Sequence, residues 1–269
     1  MRAQTDLPKV LVLTPVKDAS HAIDRYVGLI ERLDWPKSQL SIGILESDSI
    51  DGTPDALQRL RIRLQNRAER VIVFKKDFGF RMPPGVPRWA PAFQLARRAV
   101  LARSRNHLLF RALADEDWVL WIDADVSDYP ADSIHRLLSY QCDILHPHCV
   151  EKPDGPSFDL NAWAAGGRKH LHDMRGEPSP VRLDSVGGTM LLVRADLHRD
   201  GLIFPAFRYG LENAAARKDH PVWGAGEIET EGFAMMARDM GYQCWGLPDF
   251  EIVHGPDLGG PNMSGSGDG

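Results

Sequence analysis

The chain has 269 residues, of which 43% are hydrophobic and 26% charged, with a formal net charge of −5. That supports a substantial core, and the acidic balance excludes a global basic field for nucleic acid or an anionic membrane. No stretch approaches the ~20 apolar residues of a membrane span, the opening residues lack the pattern of a signal peptide, and three cysteines without CxxC spacing read as free thiols of a reducing, cytoplasmic compartment.

KVLVLT (9–14) predicts a buried strand, and HAIDRYVGLIERL (21–33) puts Ile23, Val27, Ile30 and Leu33 at helical spacing. LSIGILE (40–46) is a second strand. DGT (51–53) is a turn, with Thr53 as N-cap and Pro54 as first position of a helix to about Arg67. RVIVF (70–74) is a third strand, and KKDFGFRMPPGVPRWAP (75–91) a Pro- and Gly-rich loop. A long helix over 92–114 leads to WVLWIDAD (118–125), the fourth strand. Tyr129-Pro130 opens a short helix to about Tyr140, and CDILHP (142–147) is a fifth strand.

The second half is less regular. Residues 151–183 and 205–226 are long polar segments, too long for plain connections and therefore candidate substrate loops. SVGGTMLLVRADL (185–197) contains a strand. IETEGFAMMARDMGY (228–242) predicts a helix with Phe233, Met236, Ala237 and Met240 on one face and Gly241 closing it. QCWGL (243–247) and FEIVH (250–254) read as two short strands, and the glycine-rich tail 259–269 as disordered.

Strands alternating with helices predict a mostly parallel sheet covered on both faces, and ligands of such sheets bind at the carboxyl ends of the strands. The polar residues collect there: Thr14 to Asp18, Glu46 to Ser49, and Asp123 with Asp125. Side chains two apart on a strand share a face, so Asp123 and Asp125 would repel unless a cation lay between them. A small divalent ion held by one or two carboxylates and substrate phosphates meets that need. A helix cap before residue 130 is the plainer alternative. His254, at the end of an apolar strand, adds a ligand if that strand lies near the fourth.

The ordered stretches LVLTPVKDA, ESDSIDGT, RRAVLARSRNHLL, VLWIDADV, FDLNAW, VGGTMLLVRADLHRDGLIFP, ETEGFAMMARDMGY and GLPDFEIVH resemble the motif series of GT-A glycosyltransferases. More closely, they resemble the fungal mannan-polymerase mannosyltransferases, glycosyltransferase family 62. The resemblance implies an α/β, Rossmann-like nucleotide-sugar-binding fold in one domain over 1–258. Residues 9–150 would form the nucleotide-binding half and 151–258 a less regular acceptor half. It implies GDP-mannose as donor, Mn²⁺ or Mg²⁺ as cofactor, and retaining transfer to a mannoside or other hydroxyl acceptor.

By motif, Asp125 and His254 would ligate the metal, and Asp123 would hold the donor ribose or a metal-bound water. Thr14, Pro15, Lys17, Glu46 and Asp48 would line the nucleotide pocket. Arg105, from ARSRN, would meet the diphosphate, and Gly187 and Gly188 would let backbone approach the sugar. Glu231, then Glu229, would stand beside the sugar, where the plainer reading is acidic residues in a first helical turn. Asp159, Trp163 and Asp184 would be acceptor-side residues. Two departures stand out: the family's N-terminal membrane anchor has no counterpart in these residues, and segment 208–226 differs from the family pattern.

Three other classes compete, one of them a nucleotidyltransferase, which would open with a Gly-rich, Arg-containing loop after the first strand, where TPVKDAS has no glycine. DADVS fits the DxDx[ST] pattern of haloacid-dehalogenase-type phosphatases, but that motif follows a first strand and here follows a fourth. A non-catalytic sugar-nucleotide-binding subunit would keep the fold without the intact acids, His254 and ETE.

Overall fold

A computed structural model describes residues 7–254; the expected disordered tail, 259–269, lies outside them. The alternation of the first half folds as β1 (Val10–Val16), α1 (Ile23–Arg32), β2 (Leu40–Glu46), α2 (Thr53–Arg67), β3 (Arg70–Lys75), α3 (Pro91–Ala112) and β4 (Trp118–Ile122). There follow β5 (Val126–Asp128), α4 (Ser133–Ser139) and β6 (Ile144–Val150). The 151–183 segment holds the short strands β7 (Trp163–Ala164), β8 (Lys169–His170) and β9 (Val181–Leu183). The chain then forms β10 (Met190–Arg194), α5 (Ala195–Arg199), α6 (Glu229–Asp239) and β11 (Cys244–His254).

One nine-stranded sheet runs in the order β3-β2-β1-β4-β10-β6-β11-β5, with β9 paired to β11. From β3 to β4 it is parallel, as the alternation predicts. β10 then lies antiparallel to both β4 and β6, so the sheet is mixed in its second half. Period-two alternation sorts the core: Val10 and Val12 face α1 and α2, whereas Leu11 and Leu13 face α3 and α6. Both faces are covered, which is why the inner strands read as continuous apolar runs.

Several boundaries differ from expectation. Thr53 is the first residue of α2 and Gly52 its N-cap, because the Asp51 carboxylate takes Thr53 N–H at 3.0 Å. QCWGL and FEIVH form one strand, β11, whose register shifts between Leu247 and Glu251, around Pro248. On α6, Phe233, Ala234, Met235 and Ala237 are buried, and Met236 and Met240 only partly. Gly241 follows the C-cap with φ +89°, the left-handed conformation glycine adopts without cost. Among the described residues no helix is long and apolar enough to cross a membrane.

Candidate active site

β4 stops at Ile122, and Asp123-Ala124-Asp125 is a turn into β5. The two acids therefore do not alternate along a strand. The turn brings them together, closed by Val126 N–H on Asp123 O at 3.3 Å. The register His254↔Val126 sets the end of β11 beside this turn, with His254 Nε2 at 3.1 Å from Asp125 Oδ1. Two of the three expected metal residues, Asp125 and His254, thus make contact at the carboxyl end of the sheet, with Asp123 in the same turn as Asp125. Burial, with the charges of Asp125 and Asp159 added, pushes Asp123 up to about 6. Burial acts on Asp125 too, but the His254 hydrogen bond and charge outweigh it and hold Asp125 below the ordinary range. Among the described residues no group of three or more His, Cys, Asp or Glu is placed to hold a metal ion.

Arg105 is 4% exposed and joins the elements of the site. Its Nη2 donates to Asp123 Oδ1 at 3.1 Å and to Gly188 O at 3.3 Å, and its Nε to Glu229 Oε1 at 3.0 Å. The guanidinium also packs against Trp121 and Phe204. Buried charge is tolerable only when paired in this way. Gly188 leaves room for it: a Cβ there would lie 2.3 Å from Arg105 Nη2. A Cβ on Gly187 would lie 1.9 Å from Asp159 Oδ2. The two glycines are thus required by the Arg105 and Asp159 side chains, a reason separate from approach to a sugar.

Glu229 opens α6 at φ +60°, a conformation non-glycine residues adopt at a cost. It accepts from Arg105 Nε and from Thr230 Oγ1 at 2.9 Å. Glu231, two residues further along the same first turn and 2% exposed, has both oxygens engaged. Arg98 Nη1 donates to Oε2 and Arg217 Nη2 to Oε1, each at 2.6 Å. Burial raises its pKa, and the two arginines oppose that rise.

The strand-end residues expected in the nucleotide pocket lie together at the ends of β1 and β2. Thr14 is buried and hydrogen-bonded to Tyr26 Oη at 2.8 Å, while Pro15 is half-buried and Lys17 exposed. Lys17 Nζ donates to Phe80 O at 2.6 Å. Glu46 accepts from Ser49 N and pairs with Lys75. Asp48 accepts from Phe78 N at 2.8 Å and Gly79 N at 2.9 Å, tying the start of the 75–91 loop to the end of β2; burial opposes these bonds, yet they hold Asp48 below the usual carboxylate range.

The acceptor-side candidates separate. Asp159 is buried and accepts from Gly188 N, Thr189 N, Thr189 Oγ1 and Asn161 N, which makes it an internal anchor. Trp163 is 1% exposed, donates Nε1 to Glu231 at 3.4 Å and lies under Arg217, so no face is open for a sugar to stack on. Asp184 turns to Arg238 and Gly166 N.

Sequence reasoning missed Arg98, Arg217, Glu227 and Asn161. Arg217 bridges Glu231 and the fully buried Glu227, and Arg98 links Glu231 to Asn161 at 2.6 Å. The spacing held a signal for two of them. Arg98 precedes Arg105 by seven residues, two helical turns on one face, and Glu227, Glu229 and Glu231 alternate. Arg217 lies in the segment that departs from the family pattern and gave no signal.

The Anp1 family model matches residues 1–177 and 165–208. The mannan polymerase complex subunit MNN9 of Candida albicans is 30% identical over 292 residues, covering 91% of this chain and 74% of that protein. The mannan polymerase II complex anp1 subunit of Schizosaccharomyces pombe is 30% identical over 288 residues, covering 91% and 64%. Among solved structures, a mannosyltransferase from Pyrobaculum calidifontis in complex with GDP-Man and Mn²⁺ aligns with TM-score 0.59 at 19% identity, over 95% of this chain and 59% of that one; a likeness at that identity speaks for a GT-A fold alone. The chain belongs to the Anp1 family, the mannan-polymerase family, glycosyltransferase family 62, that its motif series resembles.

Proposed function

We propose that this glycosyltransferase-like chain is a metal-dependent, retaining mannosyltransferase that moves mannose from GDP-mannose to a mannoside or other hydroxyl acceptor. The observation that carries the reading is the meeting of Asp125 and His254, 3.1 Å apart, beside Asp123. The carboxylate oxygen suits Mn²⁺ or Mg²⁺, and the imidazole nitrogen, a ligand that the harder Mg²⁺ rarely takes, favours Mn²⁺ of the two. Two donor atoms 3.1 Å apart at the end of the sheet are close enough to share one such ion, so the residues fit. Asp125 and His254 would hold the ion, with Asp123 toward the ribose or a bound water. When bound, the ion would neutralise charge on the departing diphosphate.

The chain's own residues build the surroundings. Thr14, Pro15, Lys17, Glu46 and Asp48 form the nucleotide end, and Glu229 and Glu231 the acidic sugar end. With both oxygens engaged by arginines, Glu231 acts electrostatically rather than as a nucleophile. Arg105 holds Asp123 and Glu229 at their spacing.

A second reading, a sugar-nucleotide-binding subunit without turnover, is favoured by those same occupied Glu231 oxygens and by relatives named as complex subunits. Incubation with Mn²⁺ and a panel of sugar nucleotides decides between them. Expected are GDP-mannose turnover, its loss with a chelator and its return with Mn²⁺. Preference for a uridine-linked donor would overturn the donor assignment, and tight GDP binding without transfer to any mannoside would favour the second reading.

A further inference from the structure

The ring of Phe158 lies on the imidazole of His254, with centroids 3.8 Å apart and planes 12° apart. The edge of the same imidazole presents Nε2 to Asp125. A histidine binds a metal in its ring plane, along the nitrogen lone pair, so the tilt of the plane decides where Nε2 points. Most metal-binding imidazoles are oriented by a hydrogen bond at the other nitrogen. Here a parallel aromatic face at contact distance also fixes the plane, because rotation about χ2 would drive the imidazole edge into the phenyl ring. The stack also keeps water from one face.

Phe158 is itself held on both sides. Its N–H donates to Cys149 O at 2.8 Å. The neighbouring Ser157 hydroxyl bonds His148 Nε2 at 2.9 Å and His172 Nδ1 at 3.0 Å. On the other side Asp159 accepts from Gly188 N and Thr189 Oγ1, each at 3.0 Å. Thr189 O in turn accepts from Asp123 N at 2.9 Å. One short segment, Ser157 to Asp159, therefore connects the two ends of the candidate metal site, the acid turn and the end of β11.

We infer that Phe158 is a positioning residue that sets the plane of His254 for metal binding; the inference rests on the metal-dependent reading above. Its test measures Mn²⁺ uptake by the full chain in the presence of GDP, from the electron paramagnetic resonance signal of free Mn²⁺, with thermal melting alongside. Phe158→Leu keeps apolar bulk but removes the flat face, and Phe158→Tyr keeps both. The leucine variant is expected to bind Mn²⁺ about 10- to 100-fold more weakly, the effect of losing a residue that orients a metal ligand, while the tyrosine variant stays within about threefold of wild type. Equal Mn²⁺ affinity in wild type and Phe158→Leu would overturn the inference and leave the functional reading standing. Wild-type protein that takes up no Mn²⁺ with GDP would overturn the functional reading and the inference with it. Should Phe158→Leu not fold, Phe158→Met makes the same comparison, and retained affinity there overturns the inference equally.

Discussion

His254 Nε2 and Asp125 Oδ1 stand 3.1 Å apart, although about 130 residues separate them in the chain. The contact exists because β11 runs back antiparallel to β5, directly after the acid turn. Asp125→Asn keeps the shape and removes the charge that an ion needs. Donor turnover is expected to fall about 10²- to 10³-fold or more, the scale of losing one preorganised electrostatic contact. The initial rate of GDP release from GDP-mannose, at saturating Mn²⁺, is the measurement. Unchanged turnover would sink the metal-dependent reading.

Arg105→Lys separates a scaffold from a phosphate contact. Lysine cannot reproduce the guanidinium fork that meets Asp123, Glu229 and Gly188 at once. Breaking a buried pair costs about 3–5 kcal/mol, so the urea midpoint is expected to drop by a corresponding amount. A variant as stable as wild type, impaired only in activity, would mean that the buried network is not what Arg105 is for.

Two glycine-to-alanine changes have opposite signs. At Gly188 the new Cβ would meet Arg105 Nη2 at 2.3 Å, and overpacking of this kind costs about 1–3 kcal/mol. Gly28 lies inside α1, where a Cβ would meet nothing within 4 Å. Alanine there is expected to stabilise by about 0.5–1 kcal/mol through helix propensity. Chemical denaturation of the two variants side by side reads both, and equal signs would refute the packing account.

Acid is expected to weaken the fold through His148. Burial, opposed by its hydrogen bond with Pro248 O, pushes this imidazole down to about 4 from the ordinary 6.5. Between those values the unfolded chain takes up a proton that the native ring refuses. Stability is therefore lost as pH falls through that window and regained above it. Melting curves from pH 7 to 4 should show a smaller decline for His148→Asn than for wild type; parallel profiles would exclude His148 as a source.

The parallel half of the sheet was legible because buried strands of apolar runs alternate there with amphipathic helices. The placement of β10 was not. Its composition suits a strand in either direction, and only tertiary pairing with β4 and β6 reverses it. The acids were found for a sound chemical reason on a faulty geometric one: Asp123 and Asp125 converge through a turn, not through strand alternation. Trp163 shows the limit of residue type as a guide. An indole suits a sugar face, but Arg217 and Glu231 already occupy its surroundings. Arg217 itself was beyond reach, because it lies in an irregular segment whose path no periodicity reveals.

The late position of β11 bears on biosynthesis. Chains emerge from the ribosome N-terminus first and their early parts begin to organise before the rest exists. Here β1 to β4 could already be paired while the acid turn still waits for His254, at the end of β11. The contact between Asp125 and His254 would then form only after the parallel half of the sheet, so a product cut short before β11 could keep that half yet leave the acid turn without its histidine.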